Sequence, residues 1–286
     1  MRTLLELDHV TKRYPVGGLF SRQSIKAVND VSFALDADKP EIFAIVGESG
    51  SGKSTMAKMM LGNEVPDAGR LVFDGTDIGT IRTRDQREAF MAKVQPVFQN
   101  PFEAFNPLTP VDAYLFATAH RFCAANDQAS KERLADTALQ RVGLSLAEIK
   151  GRFSHELSGG QLQRVAVARA LIPSPKLIVA DEPVSMVDAS LRMSIVNLFR
   201  ALRDELGVSI IYITHDLATA YYISDRVIIM RSGEVVESGN AREVLDNPQD
   251  PYSIALKNAV LPPDPRAAAA AIRERRTRNP PVGQMV

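Results

Sequence analysis

Residues 41–60 read EIFAIVGESGSGKSTMAKMM. The run Glu41–Val46 is short and apolar, which suits a buried strand. Behind it come Gly47-Glu48-Ser49-Gly50-Ser51-Gly52-Lys53-Ser54-Thr55, then Met56, Met59 and Met60 at helical spacing. A strand, a glycine-rich turn and a helix, in that order, make a phosphate-binding loop. The glycines let the backbone wrap closely, so that its N–H groups and the helix N-terminus can face phosphate oxygens. Lys53 is placed to reach β- and γ-phosphates, and Ser54 to bind Mg²⁺. An ordinary Gly-Ser turn is the competing reading, and it leaves the strand before and the helix after unexplained.

Two downstream stretches extend this reading. Leu177-Ile178-Val179-Ala180-Asp181-Glu182 is an apolar strand that ends in two acids. At the C-terminal end of a strand beside the loop, Asp181 would hold Mg²⁺ through its water shell. Glu182 would orient and polarise an attacking water. Many strands end in acids, so this motif draws its weight from the loop upstream. Leu157-Ser158-Gly159-Gly160-Gln161 opens another helix, with Ser158 as N-cap and glycines that admit an anion to the backbone. A plain capped helix start is the alternative. The chain has no internal repeat, so a second anion site per chain points to a nucleotide carried by another molecule.

Around these motifs, strands alternate with helices: 94–98 strand, helices near 111–125 and 130–142, a helix after Gly160 that stops at Pro173, then 176–181 strand, 189–206 helix, 208–214 strand and 216–223 helix. This order implies an α/β fold with a largely parallel sheet covered on both faces. The opening strands, with Leu5, Leu7, Val31, Phe33 and Leu35 alternating, read as antiparallel, and Tyr14–Ser24 as a loop. Residues 227–236, with Ser232-Gly233 inside, read as a hairpin. Residues 99–162 carry Pro101, Pro107 and Pro110 and read as a helical insertion. Its Phe102, Phe105, Leu108 and Phe116 either fill the insertion's own core or form an exposed partner site. Residues 262–286 read as a peripheral appendage, helical and then disordered.

Charge is balanced, with 34 basic and 34 acidic residues, which disfavours a nucleic-acid partner. The single cysteine, Cys123, cannot form an internal disulfide and reads as a small, partly buried residue. No stretch approaches the ~20 apolar residues that span a bilayer, so a membrane link would come through a partner.

Taken together the motifs resemble the ATP-binding cassette (ABC) family over about residues 3–262. The resemblance implies a P-loop NTPase fold of ABC type: an ATPase core with an antiparallel β subdomain (1–98 and 163–250), a helical signature subdomain (99–162), and a C-terminal extension and tail (251–286). It implies that Tyr14 stacks on adenine and that Gln99 links Mg²⁺ and the attacking water to the insertion. It implies that the loop ending at Asp188 reaches across a dimer and that His215 contacts the γ-phosphate. Two such cassettes face head to tail, so that Ser158, Gly159, Gly160 and Gln161 would complete the partner's ATP site.

A finer match is to the oligopeptide and dipeptide importer ATPases, through Phe98-Gln99-Asn100-Pro101-Phe102, Glu182-Pro183-Val184-Ser185 and Asn247-Pro248-Gln249-Asp250-Pro251-Tyr252. Lys53-Ser54-Thr55 and the Gly17–Phe20 loop resemble the second of that branch's two paired ATPases. This implies a heterodimer with a related cassette and two integral membrane permease subunits. It also implies an extracytoplasmic solute-binding protein as an indirect partner and a peripheral position on the cytoplasmic face of the membrane. The branch also imports oligosaccharides, opines and nickel. Three features depart from its pattern: Met186-Val187 replaces Ala-Leu, Ser154 stands where proline is common, and the C-terminal cysteines are absent. A soluble cassette outside transport, and an ATP-holding module without hydrolysis, are the other classes in play.

Overall fold

The computed structural model describes residues 2–16, 24–102 and 104–259. The Gly17–Phe20 loop and the 262–286 tail lie outside the described residues. In chain order the elements are β1 (Thr3–Pro15), β2 (Ser24–Asp36), β3 (Ile42–Val46), α1 (Lys53–Met60), β4 (Ala68–Phe73), β5 (Thr76–Asp77), α2 (Arg84–Lys93) and β6 (Val94–Val97). Then come α3 (Val111–Cys123), α4 (Gln128–Arg141), α5 (Leu146–Ile149), α6 (Gly159–Leu171), β7 (Leu177–Asp181), α7 (Ala189–Leu206) and β8 (Ser209–Thr214). The last are α8 (Leu217–Ile223), β9 (Arg226–Arg231), β10 (Glu234–Asn240), α9 (Ala241–Asp246) and α10 (Pro251–Ala259).

Two sheets form. An antiparallel sheet runs β2-β1-β4-β5, and a second runs β10-β9-β3-β8-β7-β6. In the second, β9, β3, β8, β7 and β6 are parallel to their neighbours and β10 closes one edge as a hairpin. The parallel strands are covered on both faces, which is why β3 and β8 are buried at every position and show no alternation. One face shares a core with the antiparallel sheet: Phe43 and Ile45 meet Leu5, Leu7 and Leu35, together with Met56, Met59 and Met60 of α1. Phe33 stacks on Phe43 at 4.6 Å. Each such side chain contributes about 1.5–3 kcal/mol on burial. On the other face Ile178, Ala180, Ile210 and Tyr212 pack with the helices of the insertion, α6 and α7, and Val46 and Ile229 pack with α8 and α9.

Asp74, with φ 48, closes the turn after β4 and pins the two sheets together. Its carboxylate accepts from Lys176 Nζ at 2.7 Å, Arg2 at 2.7 Å and Lys93 Nζ at 3.1 Å. The Lys176 bond, opposed by burial and aided by Arg2 and Lys93, holds this carboxyl far below the usual carboxylate range.

The structure departs from the sequence reading in places. Helix α2 was not anticipated, because residues 84–93 are polar and bury only Phe90; the capping box of Thr83 with Gln86 is its start signal. The four apolar residues of the insertion divide: Phe105 is buried and Phe116 packs against the core, whereas Phe102 and Leu108 are 44% and 85% exposed. The start of α6 at Gly159 carries the helix through residue 162, where the sequence reading drew a boundary. Cys123 is half-buried, and burial pushes its thiol pKa up.

Candidate nucleotide site

Four parallel strands end side by side. Val46 pairs with Thr214, Ile213 with Asp181, and Ala180 with Val97. The segments that leave these strand ends therefore converge: the 47–55 loop from β3, His215 from β8, Glu182 from β7 and Gln99 from β6. Open α/β sheets place ligands at this carboxyl edge. A cavity of about 700 Å³ opens there, lined by residues 47–50 and 52–55, Gln99, Glu182, His215, Ala27 and Leu256.

The loop's shape depends on glycine at two points. A Cβ on Gly47 would sit 2.3 Å from the Met230 carbonyl oxygen, and one on Gly52 2.1 Å from that of Ala27. Gly52 is also the N-cap of α1, with φ 104 and no side chain capping the helix. The first-turn N–H groups are thus left for a ligand, at the positive end of the helix. Lys53 is buried, and its Nζ donates to the carbonyls of Gly47 and Glu48, both at 2.7 Å. Burial pushes the Lys53 pKa down, while Glu182, Asp181 and Glu48 act in the opposite sense. An ammonium held on backbone carbonyls inside a cavity is a charge ready for an anion.

Ser54 meets Asp181. Burial raises the Asp181 pKa, the Ser54 hydroxyl hydrogen bond counters it, and the neighbouring Glu182 charge raises it further. A hydroxyl and a carboxylate in contact at the phosphate loop are a fitting oxygen donor pair for a hard divalent cation. Glu182 takes an uncommon backbone conformation, φ 46, which directs it away from the strand line. Its N–H donates to Ile213 O at 2.9 Å. One carboxylate oxygen accepts from Gln99 Nε2 at 3.1 Å, and the other lies 3.1 Å from His215 Nδ1. The acid anticipated from sequence thus touches both the amide and the imidazole.

Other anticipated residues stand elsewhere. Ser51 is buried within the loop, its hydroxyl 3.5 Å from Lys53 Nζ. Ser158 and Gln161 cap α6 reciprocally: Ser158 Oγ accepts from Gln161 N at 3.2 Å and Gln161 Oε1 from Ser158 N at 3.0 Å. None of Ser158, Gly159, Gly160 or Gln161 lines the cavity. The loop before α7 lies against this turn, since a Cβ on Gly159 would be 3.5 Å from Met186 O. Asp188, the N-cap of α7, is exposed and caps nothing with its side chain. Tyr14, on β1, also stays off the cavity wall, with the Lys12 ammonium 5.7 Å from its ring centre.

Two contributors were not assigned to the site: Leu256, and Tyr252, which the 247–252 motif singled out without saying what it touches. Leu256 lines the cavity, and Tyr252 Oη accepts from Glu48 N at 3.1 Å. Both belong to α10, some two hundred residues away in the chain, and a contact of that span leaves no periodicity to read.

A family model described as ABC transporter matches residues 28–185. The oligopeptide transport ATP-binding protein AppF of Bacillus subtilis is 39% identical over 279 residues, 96% of this chain and 82% of that protein. The oligopeptide transport ATP-binding protein AmiF of Streptococcus pneumoniae is 36% identical over 84% of this chain and 77% of its own length. Among solved structures, a dimeric ATP-binding cassette in a post-hydrolysis state bound to ADP and Pi superposes with a TM-score of 0.73 at 28% identity, covering 84% of this chain and 99% of that one.

Proposed function

This chain belongs to the ABC transporter family of ATP-binding cassettes, and from that premise we propose that it is the ATP-hydrolysing subunit of an importer for peptides. The observation that carries this is the Glu182 carboxylate, set between Gln99 and His215 at a cavity whose loop holds Lys53. Two relatives named for oligopeptide transport support the solute class. Oligosaccharides, opines and nickel are the alternative solutes.

Lys53 passes from the Gly47 and Glu48 carbonyls to the β- and γ-phosphates of ATP. Ser54 and Gln99, with Asp181 through the water shell, would hold Mg²⁺, which would neutralise phosphate charge. Glu182 accepts a hydrogen bond from a water and orients it in line with the bond between the γ-phosphorus and the bridging oxygen. His215 contacts the γ-phosphate. Water adds to that phosphorus as Glu182 draws off its proton, the bridging bond breaks, and ADP and phosphate leave. Tyr14 stacks on adenine.

The assembly is a heterodimer with a second, related cassette. Ser158, Gly159, Gly160 and Gln161, with Asp188, serve the partner's ATP. Residues 1–98 and 163–250 act as the ATPase core, 99–162 as the helical signature unit and 251–286 as a C-terminal extension. Two integral membrane permease subunits receive the motion, through exposed Phe98, Phe102 and Leu108, and an extracytoplasmic solute-binding protein delivers the solute. Among the described residues no helix is long and apolar enough to cross a membrane, and we place the chain peripherally on the cytoplasmic face.

The test is to purify the chain with its membrane partners, reconstitute them in vesicles, and follow phosphate release and labelled peptide uptake together. ATP-dependent uptake is the expected result. Copurification with no membrane protein would favour a cassette outside transport, and absence of phosphate release would favour a binding module.

A further inference from the structure

Glu48 is held from both sides of its residue. Its carbonyl accepts from Lys53 Nζ at 2.7 Å, beside a bond from Ser51 N at 3.2 Å within the loop itself, and its N–H donates to Tyr252 Oη at 3.1 Å. The two restraints differ in kind. Lys53 is the ammonium that phosphate would draw away, so its hold on the loop is exchangeable. Tyr252 belongs to α10, and its hold does not require Lys53 to stay where it is.

The phenol is presented by a firmly tied element. Pro251 opens α10, where a fixed φ favours helix and no N–H is lost. Asp250 Oδ1 accepts from Tyr252 N at 2.8 Å, and the Glu237 carboxylate on β10 accepts from Gln249 N at 2.9 Å and Asp250 N at 3.3 Å. The Arg231 guanidinium lies 5.2 Å from the Tyr252 ring centre. Tyr252 and Leu256 pack against the cluster that contains Val46, the last residue before the phosphate loop. One turn beyond Tyr252, Leu256 forms part of the cavity wall itself. Helix α10 therefore touches the loop with a polar atom and the cavity with an apolar one.

We propose that Tyr252 is a positioning residue for nucleotide binding: its hydroxyl keeps the Glu48 peptide in place when Lys53 turns from the loop's carbonyls to phosphate. This rests on the reading of the cavity as the ATP site. Without the hydroxyl, Glu48 loses its anchor to α10 at the moment Lys53 lets go, and keeps the Ser51 N–H bond within the loop. The loss then falls on nucleotide affinity and leaves the chemical step alone, because Glu182, Gln99 and His215 hang from other strands.

The experiment uses the full chain assembled with its cassette and membrane partners. Tyr252→Phe keeps the ring, its packing and the Arg231 contact, and removes the acceptor. ATP titration of phosphate release should show KM raised about three- to tenfold with kcat within about twofold of wild type, the size expected for one hydrogen bond lost from binding. A fluorescent ATP analogue should report the same loss in Kd, and the melting temperature of the nucleotide-free protein should stay unchanged. Wild-type KM and Kd in Tyr252→Phe would overturn the proposal. So would a lowered melting temperature or a lowered kcat at unchanged KM, which would make the bond structural or place it in the chemical step. Lys53→Ala is measured beside it. If Lys53→Ala also leaves analogue binding intact, the cavity is not the ATP site. If Lys53→Ala weakens binding and Tyr252→Phe does not, only the role of Tyr252 falls.

Discussion

Helices α1 and α6 both open on glycine-containing turns that sequence patterns assign to phosphate, yet the two starts are in opposite states. The α1 start has Gly52 as its N-cap, with no side chain satisfying the first-turn N–H groups, and a buried lysine and two acids close by. The α6 start is closed by a side-chain cap: Ser158 and Gln161 exchange hydrogen bonds across it, which takes up the Gln161 N–H but not those of Gly159 and Gly160, and none of its four signature residues lines the cavity. The open start is incomplete without an anion. The closed start stands away from the cavity with glycine N–H groups still open, and on the proposed head-to-tail reading its anion is carried by another molecule.

The contrast can be broken at several points. The largest effect is expected at Glu182, which serves only the open start. Glu182→Gln keeps the volume and removes the carboxylate, so phosphate release should fall by about 10²–10⁴-fold, the range general-base loss produces. ATP should remain bound, and single-turnover measurements on the assembled complex would show this. Near-normal turnover would mean that the chemistry lies elsewhere.

Lys53→Ala comes next. Loss of the ammonium should cost about 2–4 kcal/mol in the hydrolytic transition state, comparable to the loss of a preorganised donor, and should weaken ATP binding. Unchanged affinity together with unchanged turnover would remove the distinction between the two starts.

Asp74 lies at neither start and serves as a control. Asp74→Asn should cost about 1–3 kcal/mol of stability, as three cations lose a shared, largely buried acceptor, while nucleotide affinity holds. The pH dependence has a definite sign. The folded pKa lies below the ordinary value of 3.8, so the Asp74 contribution is full at neutral pH and fades as pH falls through and below that value. Acid unfolding curves of wild type and Asp74→Asn should therefore converge at low pH.

The smallest effect belongs to the closed start. Ser158→Ala should cost about 1 kcal/mol through loss of the cap, with this chain's own ATP binding intact. Ser158→Arg sharpens the test, because its bulk should block closure over the partner's nucleotide. Labelled ATP trapped separately on each chain of the heterodimer would show it. Loss at this chain's own loop with the partner's spared would refute the head-to-tail reading.

Much of this was legible because neighbours in sequence carried it. The 47–55 loop declares its strand and helix by position, and β7 declares its two acids at the strand end. The pairs that matter most were not legible as contacts. Gln99 and Glu182 lie 83 residues apart and Glu48 and Tyr252 lie 204 apart; sheet order, which no local pattern encodes, brings them together. Helix α2 was missed because its single buried residue gives no apolar stripe. Tyr14 could be assigned to adenine only by resemblance; its ring sits beside Lys12. The fate of Phe105 and Leu108, one buried and one open, depends on packing that composition does not separate.

The left-handed backbone at Glu182 bears on how this protein would drift if its activity ceased to matter. A side chain in that conformation costs about 1–2 kcal/mol relative to glycine, which adopts it freely. On the proposed mechanism, glutamate at this position works against the local preference of the chain for the sake of the reaction. A library randomised at position 182 and selected solely for survival of heating should enrich glycine and asparagine over glutamate. The same library selected for uptake should return glutamate. The gap between the two outcomes measures how much folding robustness has been surrendered to place one carboxylate.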